Sequence, residues 1–293
     1  MEPIVIQAHS SHVNKVFFTP DNDSVISLGF SGELREWEVG KWALKKEYVG
    51  HTKTVNGAVF LDNGKTLISA AADGLIKFWD TSTGECLKTF DEQKKGIGSL
   101  RKTSDNEYLI TSSPDKMIVL RELPSGKILK EVKSNAKNIG AMAISKKADL
   151  AIVGGLGGTI QIFSLPECVL VRNMEAHEVA INSFRFFNQD KHAVSVGYTG
   201  ALKIWDVNNW KEQNIMELGE KGYYGIAIHP NEQYIALSMP GKVKIWSLPE
   251  LKEVKELPVK VKGNYGLNFS SDGKMLALAS ADKRVRIWTD VMT

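Results

Sequence analysis

Residues 73–80 read DGLIKFWD and residues 199–206 read TGALKIWD, two versions of one short strand that runs into an aromatic and an acid. The same stretch recurs as GELREWE at 32–38, DKMIVLRE at 115–122, GGTIQIFS at 157–164, PGKVKIWS at 240–247 and DKRVRIWT at 282–289. Its anchor residue is Trp37, Trp79, Arg121, Phe163, Trp205, Trp246 and Trp288, with intervals of 42, 42, 42, 42, 41 and 42. Seven copies of one unit are written along the chain.

The rest of the unit keeps the same phase. Ahead of each anchor lies an aliphatic run such as TLISAA or MLALAS, and before that another strand such as VNGAVF or YGLNFS. Polar turns such as LDNGK and SSDGK separate them, and a further strand such as ECLKTF follows the anchor. No segment sustains a 3.6-residue apolar period, so almost no helix is expected. Four short strands per repeat predict an all-β, seven-bladed propeller of four-stranded antiparallel blades. Aligning Ala8-His9 with Gly50-His51 sets Ile4–Gln7 opposite Lys46–Val49, the outer strand of the first unit. Residues 1–7 are therefore expected to complete the last blade and close the ring. Length alone suggests two domains, whereas the repeat phase predicts one over residues 1–293.

Composition narrows the class without naming a function. The 37 basic and 34 acidic residues leave a net charge of +3, which makes no electrostatic case for a nucleic-acid or membrane binder. The opening MEPIVIQAHSSH is a poor signal peptide, and no apolar run reaches the 18 residues of a membrane span. Cys86 and Cys168 are the two cysteines, expected to be reduced packing residues of a cytoplasmic protein.

On these residues the whole chain resembles the WD-repeat β-propeller family. Trp79-Asp80 and Trp205-Asp206 are its literal dipeptide, and Gly50-His51 stands 28 residues before Trp79. The resemblance implies a structural tetrad of His, Ser/Thr, Asp and Trp within a blade, here His51, Ser69, Asp73 and Trp79. The fifth unit has His177, Ser195 and Trp205 but Thr199 in the Asp place, and the first has His9, Ser27 and Trp37 but Ser31 there. Gln93, Asn135, Gly219 and Lys260 stand where the other units would have the His, and the third unit has Arg121 for Trp and Lys102 on its inner strand.

No phosphate loop, nucleophile elbow or converging carboxylate pair is present in the repeat phase, so no enzyme, cofactor or metal site is expected. Gly154–Gly158 is a glycine run, but it falls on a turn with no helix to follow. The basic residues two before the anchor, Arg35, Lys77, Lys203, Lys244 and Arg286, recur once per unit and read as repeat consensus. In family members partners commonly bind the loops that enter each inner strand. The resemblance therefore implies a scaffold, a candidate subunit of a larger complex, that binds a protein or peptide segment through His12, Asn14, Thr54, Asn56, Asn138, Asn182, Tyr223, Tyr224 and Tyr265. The alternative is an anion or small ligand in a central channel. Inner-strand positions 22, 20 and 18 before the anchor are mostly small (Gly57, Ser99, Ala141, Ala143, Ser145, Ser183) but include Lys15, Arg101 and Arg185, with His229 lower down. Water or rim acids such as Glu92 would otherwise solvate these charges. Trp42 and Trp210, five after their anchors, are either partner contacts or edge packing at the start of outer strands.

Overall fold

The computed structural model describes residues 1–91, 95–136, 138–222 and 224–292. Gln93, Glu92 and Tyr223, invoked above, lie outside the described residues. The chain forms seven four-stranded antiparallel sheets, the blades of a β-propeller, and the one helical element among the described residues is the 3-10 turn Asp62–Gly64. The second blade is typical, with strands Val55–Leu61, Thr66–Ala71, Leu75–Asp80 and Cys86–Asp91 paired in sequence order. Its second strand is buried at five of six positions and its last is exposed at five of six. A strand sandwiched on both faces reads as a continuous apolar run, and an edge strand as a polar one. By close contact the chain divides into two compact units, Met1–Glu92 with Tyr223–Thr293, and Gln93–Gly222.

At each of the first six anchors the third and outer strands slip register, between Glu36/Trp37, Phe78/Trp79, Leu120/Arg121, Ile162/Phe163, Ile204/Trp205 and Ile245/Trp246. The turn beyond the slip demands a left-handed residue five positions after the anchor. Trp42, Gly84, Gly126, Cys168, Trp210 and Leu251 all have positive φ there. Each closes the turn with its N–H on the carbonyl of the residue after the anchor, as Trp42 does on Glu38 and Trp210 on Asp206. A non-glycine residue held there costs about 1 kcal/mol, offset when its side chain packs. Trp210 does so, at 6% exposure and edge-on to Phe186 at 6.5 Å, and Trp42 packs against the core between the seventh and first blades. The two tryptophans thus sit in turns ahead of the strands Leu44–Glu47 and Lys211–Glu217, as edge packing.

The seventh blade is completed from the other end of the chain. Ile4–Gln7 pairs antiparallel with Arg284–Ile287, Ile4 opposite Ile287 and Gln7 opposite Arg284, with no register slip. Ile6 is buried there beside Val285 and Ile287, and the Ala8 N–H donates to Lys283 O at 2.9 Å. An unpaired third strand would present a bare row of N–H and C=O groups. Deleting residues 1–7 removes this cover and the burial of Ile6. The melting temperature of the truncated chain should fall by roughly 5–10 °C in a thermal scan; an unchanged transition would show that the seventh blade does not need the strand.

Candidate functional site

The second blade carries the complete tetrad. Trp79 Nε1–H donates to Ser69 Oγ at 2.8 Å, Ser69 Oγ meets His51 Nε2 at 2.8 Å, and Asp73 accepts from His51 Nδ1 at 2.9 Å. Asp73 also takes the backbone N–H of Thr52 at 2.9 Å and of Leu75 at 3.0 Å. Burial alone would raise its pKa, but these hydrogen bonds hold the carboxyl below its ordinary value. One relay therefore ties an entry loop, two strands and a turn together.

The first blade reaches the same result by a different residue. Ser31 is exposed, and Glu33 supplies the carboxylate to His9 Nδ1 at 3.1 Å and to the Ser10 N–H at 3.0 Å. Ser27 bridges His9 and Trp37 at 2.7 and 2.8 Å. Two residues further along, the longer glutamate spans what an aspartate covers in the second blade. The signal was in GELREWE, where an acid directly follows Gly32. Burial, more than the nearby Arg35, pushes His9 down to about 4 despite Glu33, so its ring is neutral at pH 7.

Elsewhere the relay is dismantled. Thr111 occupies the serine place in the third blade, and its buried hydroxyl has no partner among the described residues. The Arg121 side chain, 1% exposed in the tryptophan place, donates to Gly126 O at 3.1 Å. In the fourth blade Gln161 stands in, accepting from Ser134 Oγ and from the Asn135 N–H. In the seventh, Leu278 lies ten residues before Trp288, whose Nε1–H has no acceptor among the described residues. The basic residue beside the anchor is structural as well. Lys203 lies over Trp205 at 5.7 Å and pairs with Glu212, Lys244 pairs with Glu253 and Glu256, and Arg286 with Asp282.

The entry loops bring some of the predicted partner-binding residues together. His12, Phe30 and Tyr265 form one ring cluster, with centroids 5.5 Å (His12–Phe30), 5.7 Å (Phe30–Tyr265) and 6.3 Å (His12–Tyr265) apart. His12 is exposed and Phe30 is 37% exposed, so the cluster meets solvent. Phe30 was missed in the sequence because it follows the second strand, outside the repeat positions scanned. Thr54 Oγ1–H donates to Phe30 O at 3.0 Å, and Asn14 donates to Val55 O and Asn56 Oδ1. Asn182 likewise donates to Gly222 O at 2.8 Å, so these amides brace loops. Asn138 is exposed at φ +50°, apart from this cluster. Tyr224 is a correction: at 2% exposure its side chain is interior and presents nothing to a partner.

The inner-strand positions divide. Ala141 and Ala143 belong to the apolar core against Phe184, not to an open lining, and His229 packs on Tyr234 and Phe269 with Nε2 3.2 Å from Gly273 O. Lys15 donates to Asn56 O at 2.5 Å. Arg101 and Arg185 end two matching Ser-x-Arg stretches, Ser99–Arg101 and Ser183–Arg185. Each donates through Nη1 to the carbonyl before it, Leu100 O and Phe184 O, both at 2.7 Å. Burial pushes Arg101 down to about 10, and Arg185, which also feels the Arg101 charge, to about 9, so both stay charged at neutral pH. The glycine run has a packing reason: a Cβ at Gly154 would come 2.7 Å from the Phe184 ring, and one at Gly158 would strike His177 O. Among the described residues no three His, Cys, Asp or Glu side chains are grouped to hold a metal ion, and no helix is long and apolar enough to cross a membrane.

Seven repeated four-stranded sheets, three of them carrying a His–Ser–Trp relay, define a WD-repeat propeller. The family described as WD domain, G-beta repeat matches residues 42–80, 84–121, 168–206 and 258–289, just over half of the chain, and the protein belongs to it. The match at 84–121 includes Arg121, so the third blade counts as a repeat despite its lost tryptophan. No curated protein matches the chain closely enough to stand as a relative. WD-repeat propellers commonly serve as protein-interaction scaffolds and are typically non-catalytic.

The relay and its remnant make opposite demands at equivalent positions. Ser69→Ala strands the Trp79 and His51 ring nitrogens and should cost about 2–3 kcal/mol in urea unfolding, whereas Thr111→Val removes a hydroxyl that bonds to nothing and should leave stability unchanged or raise it by about 1 kcal/mol. Equal losses from both substitutions would refute the assignment.

Proposed function

We propose that the protein is a non-catalytic interaction scaffold that binds a protein segment on its loop-entry face, centred on His12, Phe30 and Tyr265. The observation that carries this reading is the solvent-facing ring cluster on loops already braced by Thr54, Asn14 and Asn56. Rigid aromatic rings give contact area with little entropy lost, and braced loops need no reordering on binding. An exposed free thiol at Cys86 suits a reducing compartment, and the reading extends to a cytoplasmic location. Affinity purification from the native source with wild type and with Phe30→Ser/Tyr265→Ser tests it. The double variant should lose specific co-purifying proteins at least tenfold; recovery of the same set from both would reject this face.

A second reading is favoured by Arg101 and Arg185, which have no acid at ion-pair distance among the described residues. Partly buried like charges without a counter-ion are costly, and an anion would relieve both. Calorimetric titration with inorganic phosphate should show binding that Arg101→Gln/Arg185→Gln weakens at least tenfold. Equal, weak binding by both proteins would remove this reading.

A further inference from the structure

The first and second blades show what a finished relay contains, and the fifth lacks one part of it. Glu33 and Asp73 each accept from a histidine Nδ1 and from the next residue's backbone N–H, at Ser10 and Thr52. In the fifth blade His177 Nε2 meets Ser195 Oγ at 2.7 Å, and Trp205 Nε1–H donates to Ser195 Oγ at 2.9 Å. Thr199 stands in the acid's place, and His177 Nδ1 is buried with no partner among the described residues. The histidine itself is 9% exposed.

Counting hydrogens shows what the open atom needs. Ser195 Oγ accepts from the indole, and His177 Nε2 is the acceptor described for its own hydrogen, so the arrangement that satisfies both leaves the ring proton on Nδ1. Burial, then the Lys203 charge, pushes the His177 pKa down to about 4, so the ring is neutral at pH 7. Nδ1–H is therefore a fixed donor in search of an acceptor. The ring is held against Gly197, where a Cβ would come 2.6 Å from Nδ1. The Glu178 N–H holds the sequence place of those at Ser10 and Thr52, next after the histidine.

At this spot the surface opens into a cleft of about 420 Å³ lined by His177, Glu178, Thr199 and Lys203, with the exposed Glu175 and Glu217 also on its walls. Among the described residues Lys203 is the one charge that acts on His177, and it lies over Trp205 and pairs with Glu212. The glutamates act on an entering ligand instead, and disfavour one that carries several negative charges.

We propose that this cleft is a carboxylate-binding site, in which one carboxylate of an entering ligand occupies the place that Asp73 fills in the second blade. It accepts from His177 Nδ1–H and Glu178 N–H and lies in the field of Lys203, which makes the pair charge-assisted. An Asp or Glu side chain on a protein segment and a free monocarboxylic acid share this chemistry. The site is independent of the aromatic cluster, since all its residues lie within Gln93–Gly222 and the cluster's lie outside it.

Nitrogen-15 NMR of the His177 ring in the full chain tests the site, with acetate, acetyl-Gly-Asp-Gly-amide and acetyl-Gly-Asn-Gly-amide as probes. The Asp peptide should shift Nδ1–H saturably and the Asn peptide should not. A peptide at least tenfold tighter than acetate assigns the site to a protein segment, and equal affinities assign it to a small acid. Thr199→Asp supplies its own carboxylate, and should abolish the shift while raising the melting temperature by about 2–4 °C. A wild-type ring unmoved by acetate and the Asp peptide, or a Thr199→Asp chain that binds as wild type does, would overturn the proposal. The wild-type titration decides the matter even if the variant folds poorly.

Discussion

A serine hydroxyl on the second strand is the narrowest support in each blade that keeps the His–Ser–Trp set. Ser27, Ser69 and Ser195 each accept the indole N–H from the third strand and meet a histidine from the entry loop. Through that atom the loop's position is referred to the core. The bond works because it is dry: each of the three serines is 0% exposed, so a failed partner cannot be replaced by water at little cost. Of the aromatic cluster, His12 lies on a loop that starts from a histidine held in this way, His9.

Where the relay is incomplete, its remnants are visible as unsatisfied atoms. Thr111, Trp288 and His177 each keep one buried polar atom whose designed partner is missing. The three are not equivalent. Thr111 and Trp288 are sealed from solvent, at 0% and 1% exposure, and represent only cost. His177 lines open space, so the same deficiency leaves a donor that a ligand can use. Loss of an acid inside a repeat can thus produce recognition at its edge, with no change to the blade's strands.

The fold was legible because spacing is a property of the whole repeat and survives local substitution. Arg121 breaks the motif but not the interval, and the strands on both sides of it pair in full. The last blade's completion was equally readable, since EPIVIQ had no other place in the phase. Side-chain reach was not. Glu33 lies two positions from where an aspartate would serve, and only the folded turn shows that its longer arm closes the distance. Tyr224 carried a surface phase into an interior position because the sixth repeat is one residue short, and Ala141 and Ala143 pack on the next blade rather than facing open space. Phase gives the face of a strand, whereas exposure depends on the neighbouring blade.

The pairing of residues 4–7 with residues 284–287 also governs how the chain folds. Every other strand pairing joins neighbours within one repeat, where loop closure is short and the entropy cost is met at once by contacts. This one joins segments separated by nearly the entire sequence. Six blades can form from local hairpins as soon as their residues are available, but the seventh must wait for a strand from the far end. Until the two meet, Arg284–Trp288 has an open edge, the feature that invites pairing with another molecule. Speed of folding and resistance to aggregation therefore depend on four residues that take no part in any binding face.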